Sequence, residues 1–351
     1  ILCMPLLVNA QNQIPTLDDL DNEIAMSPQY DKKYEDVISS VKKELRTAKT
    51  KEARYDLSNK LFNLYTSYSV DSAIVYAIEK QNIAKQIGDQ SKVNDAKLNL
   101  AYLLIRGGQL KDASDIINSI PRKEISQELS FYYFSTRKTL YRTLAEAALT
   151  TSQRNLYKQM EKNCNDSVVD NNASPDSWSR AEQLVNRHQY EQAKKILLDA
   201  YQHLKPGDRQ TAFVSISLAD IYGREKNVEA QKQYLIAAAI SDIRNSVKEY
   251  LALQQLAVIL FEEGDTKRAY AYMDQAMNDA VFCNARQRTI AMADVWPAIE
   301  KSHERETKSR TLRLTAIIVV ISLLSVVLFV MIIYTRRRVV ELRAIRARLS
   351  N

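Results

Sequence analysis

The chain has 351 residues, too many for one simple core, yet it carries only 6 Gly and 7 Pro, far below the usual ~7% and ~5%. So little turn chemistry excludes a strand-rich or α/β chain and predicts long helices joined by short loops. The net charge of +7 excludes less than it suggests. From Glu300 to Asn351 there are eleven Lys/Arg and four Asp/Glu, and the preceding part holds 38 of each sign. The basic balance therefore belongs to the C-terminal end, and the residues present give no support to a nucleic-acid groove.

Taken in chain order, Ile1-Leu-Cys-Met-Pro-Leu-Leu-Val-Asn-Ala10 has the apolar run and small-residue end of a signal peptide, with Gln11 as the mature N-terminus. Residues 11–52 follow as an N-terminal helical cap, in which Leu17 to Leu45 has the pattern of one or two amphipathic helices. The prolines (Pro5, Pro15, Pro28, Pro121, Pro175, Pro206 and Pro297) are expected outside the strongly periodic stretches or near their ends.

From residue 53 to 299 the apolar residues repeat. Leu100-Ala101, Gly108, Leu110, Ala113, Ile117 and Ile120 follow the tetratricopeptide spacing: an apolar-small pair, a turn glycine, a bulky residue, a small one, then two packing positions. Leu256-Ala257, Leu260, Gly264, Ala269, Met273 and Ala276 form a second copy. Further copies use Ala181, Leu184, Tyr190, Ala193, Leu197 and Ala200, and Leu218-Ala219, Tyr222, Gln231, Leu235 and Ala238. The small position recurs at 73, 113, 193, 231 and 269, and the wide second gap hides one more unit, expected from Glu128 to Asn163.

About six units result. The fold class is all-α, a tetratricopeptide-like α-α solenoid followed by one transmembrane helix. Two antiparallel helices meet closely only where a small side chain faces the crossing, and stacked pairs bury what one pair cannot. Gln231 at a small position and the missing turn glycines are departures from the pattern. His188 stands where one such glycine is expected. The Asn-rich stretch 163–176 is the expected loop or hinge.

No phosphate loop, dinucleotide fingerprint, metal spacing or nucleophile–base pair occurs, so no enzyme activity and no cofactor is expected. Cys164 and Cys283 are expected as free buried thiols. The candidate site is the concave groove. Carrying the register onto the first helix of each unit points Asn59, Asn63, Tyr102, Arg106, Trp178, Glu182, Asn186, Asp220, Arg224, Gln254 and Glu262 toward it. Such a mixed polar and aromatic surface suits a peptide or a partner segment better than an apolar ligand.

After a juxtamembrane stretch, residues 300–313, the run Leu314 to Tyr334 holds 21 residues without a charge, which matches a hydrocarbon core of about 30 Å. Five basic residues precede it and six follow, including Arg336-Arg337-Arg338, so charge alone barely orients it. The signal peptide sets the direction: 11–313 outside, Arg336 onward in the cytoplasm. In residues 335–351, Val339, Leu342, Ile345 and Leu349 begin an amphipathic or coiled-coil helix, with a homodimer as one expectation. Contact of the arginines with acidic lipid is the other reading.

Three stretches carry a family resemblance: Leu20 to Leu45 with Tyr30-Asp31-Lys32-Lys33, Val70-Asp71-Ser72-Ala73-Ile74-Val75-Tyr76-Ala77, and Ala96 to Ile120. They resemble membrane-anchored tetratricopeptide regulators of Bacteroidetes. The resemblance covers nearly the whole chain, on packing motifs and not catalytic ones. It implies a periplasmic repeat array, one inner-membrane helix and a cytoplasmic helix-turn-helix-like output region of unknown-function class. The sequence stops about 17 residues past the membrane run, before any such region. The expected function is an extracytoplasmic sensor or protein-interaction module of a transcriptional regulator, binding a peptide, a glycan-uptake component or a partner protein. The input half of a sensor histidine kinase and a membrane-tethered scaffold share the layout and stay open.

Overall fold

The computed structural model describes residues 15–170, 177–205 and 207–349; among them are fifteen α-helices, one 3-10 turn at Arg122–Glu124 and no strand. The signal-peptide reading of residues 1–10 lies outside the described residues. Two compact units divide the chain, residues 1–296 and 297–351.

The first unit opens with α1 (Leu17–Thr47), a single helix of 31 residues. Thr16 and Asp19 start it as a capping box: the Thr16 hydroxyl accepts from the Asp19 N–H at 3.2 Å, and the Asp19 carboxylate accepts from the Thr16 N–H at 2.8 Å. Pro28 sits inside this helix, contrary to the expectation that prolines avoid the periodic stretches. Packing on both sides of Pro28, through Leu20 and Ser27 before it and Ile38 and Val41 after it, holds the helix across the missing hydrogen bond.

Six helical hairpins follow. They are α2 (Lys51–Tyr65) with α3 (Val70–Ile87), α4 (Gln90–Arg106) with α5 (Leu110–Asn118), and α6 (Gln127–Glu146) with α7 (Thr151–Asp170). Then come α8 (Ser177–Asn186) with α9 (Tyr190–His203), α10 (Arg209–Arg224) with α11 (Val228–Arg244), and α12 (Leu251–Glu263) with α13 (Thr266–Cys283). A short helix, α14 (Arg286–Ala293), closes the series. Side chains of Thr50, Ser69, Asp89, Asn227 and Asp265 accept from the first-turn amides of α2, α3, α4, α11 and α13, which is why those helices begin where they do. The expected hinge at 163–176 is helical as far as Asp170, because α7 simply continues; residues 171–176 lie outside the described residues.

Ala73, Ala113, Ala193 and Ala269 are all fully buried, one on the second helix of each of four hairpins. Gln231 occupies the same place on α11 without disturbing it, since Gly223 on α10 lies opposite. A Cβ at Gly223 would stand 2.7 Å from the Gln231 Nε2, so the large and small partners have exchanged helices. The turns are kept in the same way. Gly108 and Gly264 adopt left-handed backbone (φ +78° and +89°), and His188 and Lys226 adopt it at φ +60° in their own hairpins without being glycine. Cys164 and Cys283 are buried free thiols.

The array then meets its own beginning. Helix α1 packs on α2 and also lies against α11. Across this seam Glu23 pairs with Arg244, Asp18 and Asp21 pair with Arg268, and Lys248 sits 2.7 Å from Asp31 and 3.3 Å from Asp279. The Tyr272 hydroxyl donates to Asp21 at 2.6 Å, the Lys248 N–H donates to the Ser67 carbonyl at 2.7 Å, and Asn284 donates to Asp71 at 2.9 Å. Arg106 pairs with Glu249, and the Tyr68 and Phe282 rings meet edge-on at 5.4 Å. Residues more than 200 positions apart are neighbours, so the concave side faces inward.

The second unit lies within one helix, α15 (Trp296–Leu349), 54 residues and about 80 Å long. Its large apolar side chains between Leu314 and Tyr334 are all exposed. Among the described residues it is the one helix long and apolar enough to cross a membrane, by length and composition.

Candidate functional site

The closed array bears a chamber of about 760 Å³ that is a cleft open to solvent on one side, within the size range of small-ligand sites. Its walls come from both ends of the repeat series. Helix α1 supplies Tyr34; α2 supplies Asp56, Asn59, Lys60, Phe62, Asn63 and Leu64, with Thr66 just after it. Helix α4 gives Asn99 and Tyr102, and α6 gives Tyr132. From the other end come Arg209, first residue of α10, and Asn245, which caps α11.

Several of these groups are already engaged. Asn59 Oδ1 accepts from Lys80 Nζ at 2.6 Å, and Lys80, almost fully buried behind the wall, also pairs with Asp95 at 2.6 Å. Burial lowers the Lys80 pKa and the Asp95 carboxylate opposes that shift. The Tyr132 hydroxyl donates to Asn99 Oδ1 at 3.0 Å, Asn99 Nδ2 donates to Asp95, and burial raises the Tyr132 pKa, which keeps that hydroxyl a donor. The Tyr34 hydroxyl donates to the Leu64 carbonyl at 2.7 Å, and Asn245 Nδ2 donates to the carbonyls of Gly207 and Ser241. Gly207 is tightly confined: with φ +92°, any Cβ there would stand 2.8 Å from the Arg244 side chain.

Of the residues the register pointed to the groove, Asn59, Asn63 and Tyr102 line the chamber. Arg106 does not. It is buried in the seam, donating to the Thr66 carbonyl at 2.6 Å, paired with Glu249 and resting on the Tyr102 ring. Trp178 packs on Phe213 with centroids 5.3 Å apart, and its Nε1 donates to Ser217. Glu182 bridges to Lys138 at 3.5 Å, which ties α8 to α6. Asp220 and Arg224 pair along α10 at 3.0 Å, with Arg224 over Tyr190. Asn186 Nδ2 and Gln254 Oε1 are buried without a hydrogen-bond partner, and Glu262 is exposed at the end of α12. None of these later residues lines the chamber.

Ten lining residues escaped the register: Asp56, Lys60, Phe62, Leu64 and Thr66, which flank Asn59 and Asn63, and Tyr34, Asn99, Tyr132, Arg209 and Asn245 elsewhere. Asn99 lies one turn before Tyr102 on the same helix and could have been found there. Tyr132 belongs to the unit whose marker residues are absent. Tyr34 comes from α1, outside the repeats, where it packs on α2; Arg209 and Asn245 reach the chamber only because the array closes, which local periodicity does not encode.

The family model for the SusR N-terminal TPR domain matches residues 24–294, from within α1 to just past α14. The chain belongs to that family. No curated protein matches it at a significant level. The SusR-type match covers all six hairpins and stops just before α15; of the seam it includes Asp31, Arg244, Lys248 and Arg268 but not Asp18, Asp21 or Glu23. It therefore supports a sensor or protein-interaction module of a regulator, and tetratricopeptide domains in general engage proteins.

Proposed function

We propose that the chain is the extracytoplasmic input module of a membrane-anchored transcriptional regulator, acting by binding and not by catalysis. The observation that carries this reading is the chamber, whose walls are contributed by both ends of a SusR-type array. A ligand held there would touch α1 and α2 on one side and the α10 and α11 ends on the other. Binding would then favour the closed array over looser arrangements by its differential affinity. At about 760 Å³ the chamber suits a short polar segment or a small polar molecule, and it is too small for a folded partner domain. A peptide end threaded from a partner protein fits that description.

The anchor in this proposal is Leu314 to Tyr334. Its exposed apolar side chains have no protein cover, and lipid would satisfy them. Arg336, Arg337 and Arg338 would sit at the cytoplasmic lipid surface, with an output region beyond them. A kinase output would use the same input. Protease added to intact spheroplasts tests the topology: residues 17–296 should be degraded while a fragment containing α15 survives. Survival of the repeat array with loss of the C-terminal end would reverse the orientation and end the proposal.

A further inference from the structure

Arg209 is the one strong cation on the chamber wall whose position is fixed while its charge is left unpaired. Its Nη2 donates to Ser67 Oγ at 3.0 Å, and its guanidinium lies over the Phe213 ring, 5.8 Å from the centroid. Those two contacts hold the plane of the group, yet among the described residues no carboxylate comes within 4 Å of it. The contrast with its neighbours is direct: Arg106, Arg244 and Arg268 all carry ion pairs in the seam. Asp242, three residues before Asn245, feels the Arg209 charge from beyond ion-pair distance, and burial pushes its carboxyl up to about 7, so it is only partly ionised near neutrality. Asp56 and Lys60, one turn apart on α2, carry opposite charges, but both are exposed to solvent, and neither is held in place by an ion pair among the described residues.

The hydrogen-bond inventory leans the same way. Asn59 has its carbonyl occupied by Lys80, which leaves its amide N–H groups for a ligand. Asn63 and Tyr102 have no hydrogen-bond partner among the described residues, and Arg209 keeps N–H groups beyond the one on Ser67. Of the groups engaged above, Asn245 Oδ1 remains as an acceptor. Donors therefore outnumber acceptors, and a donor-rich wall with a pre-oriented guanidinium recognises an acceptor-rich anion.

We propose that the chamber takes a small polar ligand bearing a carboxylate, received by Arg209, with the rest of the ligand hydrogen-bonded by Asn59, Asn63 and Tyr102. This rests on the chamber being the input site. The carboxylate can come from the free C-terminus of a short peptide or from an acidic sugar, and the test separates the two. The full chain in detergent is offered a pool of tetrapeptides and, separately, hexuronate trimers. Each is presented as free acid and in capped form, the peptides as C-terminal amides and the trimers as methyl esters, with bound masses read by native mass spectrometry.

The free acid of one pool should be retained, and its capped form should bind roughly 10- to 100-fold more weakly, the worth of a charge-assisted hydrogen bond. Arg209→Gln should abolish that difference and Arg209→Lys should keep part of it. Capped and free forms bound alike by the wild-type chain would overturn the carboxylate while leaving the chamber as a site. Retention of neither pool would count against both readings. The wild-type comparison needs no variant to fold.

Discussion

The hairpin interfaces and the seam hold the same array together by opposite chemistry. Within hairpins, fully buried Ala73, Ala113, Ala193 and Ala269 let helices approach, and aliphatic residues such as Leu98 and Leu256 fill the space around them. At the seam α1 contributes carboxylates (Asp18, Asp21, Glu23, Asp31) and α11 to α13 and their connections contribute cations (Arg244, Lys248, Arg268). Apolar packing is local, repetitive and indifferent to partner. Charge pairing across more than 200 residues selects one partner face, so the seam fixes where the array closes. The energies differ in kind as well. Half-exposed pairs such as Arg268 with Asp18 contribute at most ~1 kcal/mol each, and salt weakens them.

The largest effect is expected where the seam is buried. Lys248 is about 3% exposed between Asp31 and Asp279, so Lys248→Ala leaves two carboxylates without their cation. Loss of ~3–5 kcal/mol is expected in urea unfolding. A loss below ~1 kcal/mol would make the seam no more than a surface contact. Next comes Ala113→Leu in a hairpin crossing, which should cost ~1–3 kcal/mol by overpacking, nearly independent of salt. The two variants together sharpen the contrast, because only the seam variant should alter how stability responds to ionic strength.

A pH effect of intermediate size separates Asp242 from the paired carboxylates. Burial raises the Asp242 pKa from 3.8 to about 7, so the folded chain binds a proton that the unfolded chain has released between those values. Its contribution to stability is complete below about pH 4 and is lost as pH rises through about 7. Asp242→Asn should flatten the decline in melting temperature over that interval. Glu23 behaves in the opposite sense. Burial works against ionisation there, but hydrogen bonds from Arg244 and Tyr30 lower its pKa, so its contribution disappears as pH falls. The smallest effect is at the hairpin turns: Lys226→Gly removes a side chain from φ +60° and should stabilise by up to ~1 kcal/mol in the same urea measurement.

The same contrast explains what could be read in advance. Small residues at fixed intervals expose the hairpins because each acts within its own repeat. Even the departures obey that logic: Gln231 is matched by Gly223, and His188 takes the left-handed turn a glycine was expected to take. Seam residues give no such signal. Asp18, Asp21 and Glu23 on an amphipathic helix look like a solvated face, and their partners lie at Arg244 and Arg268. The groove prediction therefore captured Asn59, Asn63 and Tyr102 and missed Arg209 and Asn245, which depend on closure, and Tyr34, which lies on α1 outside the repeats.

Closure is the central claim, and a cysteine pair across the seam tests it most directly. Asp71 and Asn284 touch at 2.9 Å, although 213 positions separate them. With Cys3, Cys164 and Cys283 replaced by serine, the pair Asp71→Cys and Asn284→Cys in the full chain should be joined within one molecule by a short bifunctional maleimide. It should release as a faster-migrating species on denaturing gels at protein concentrations low enough to exclude dimers. An open solenoid holds these positions at opposite ends, and the absence of that intramolecular product in a chain that is otherwise folded would contradict the closed array.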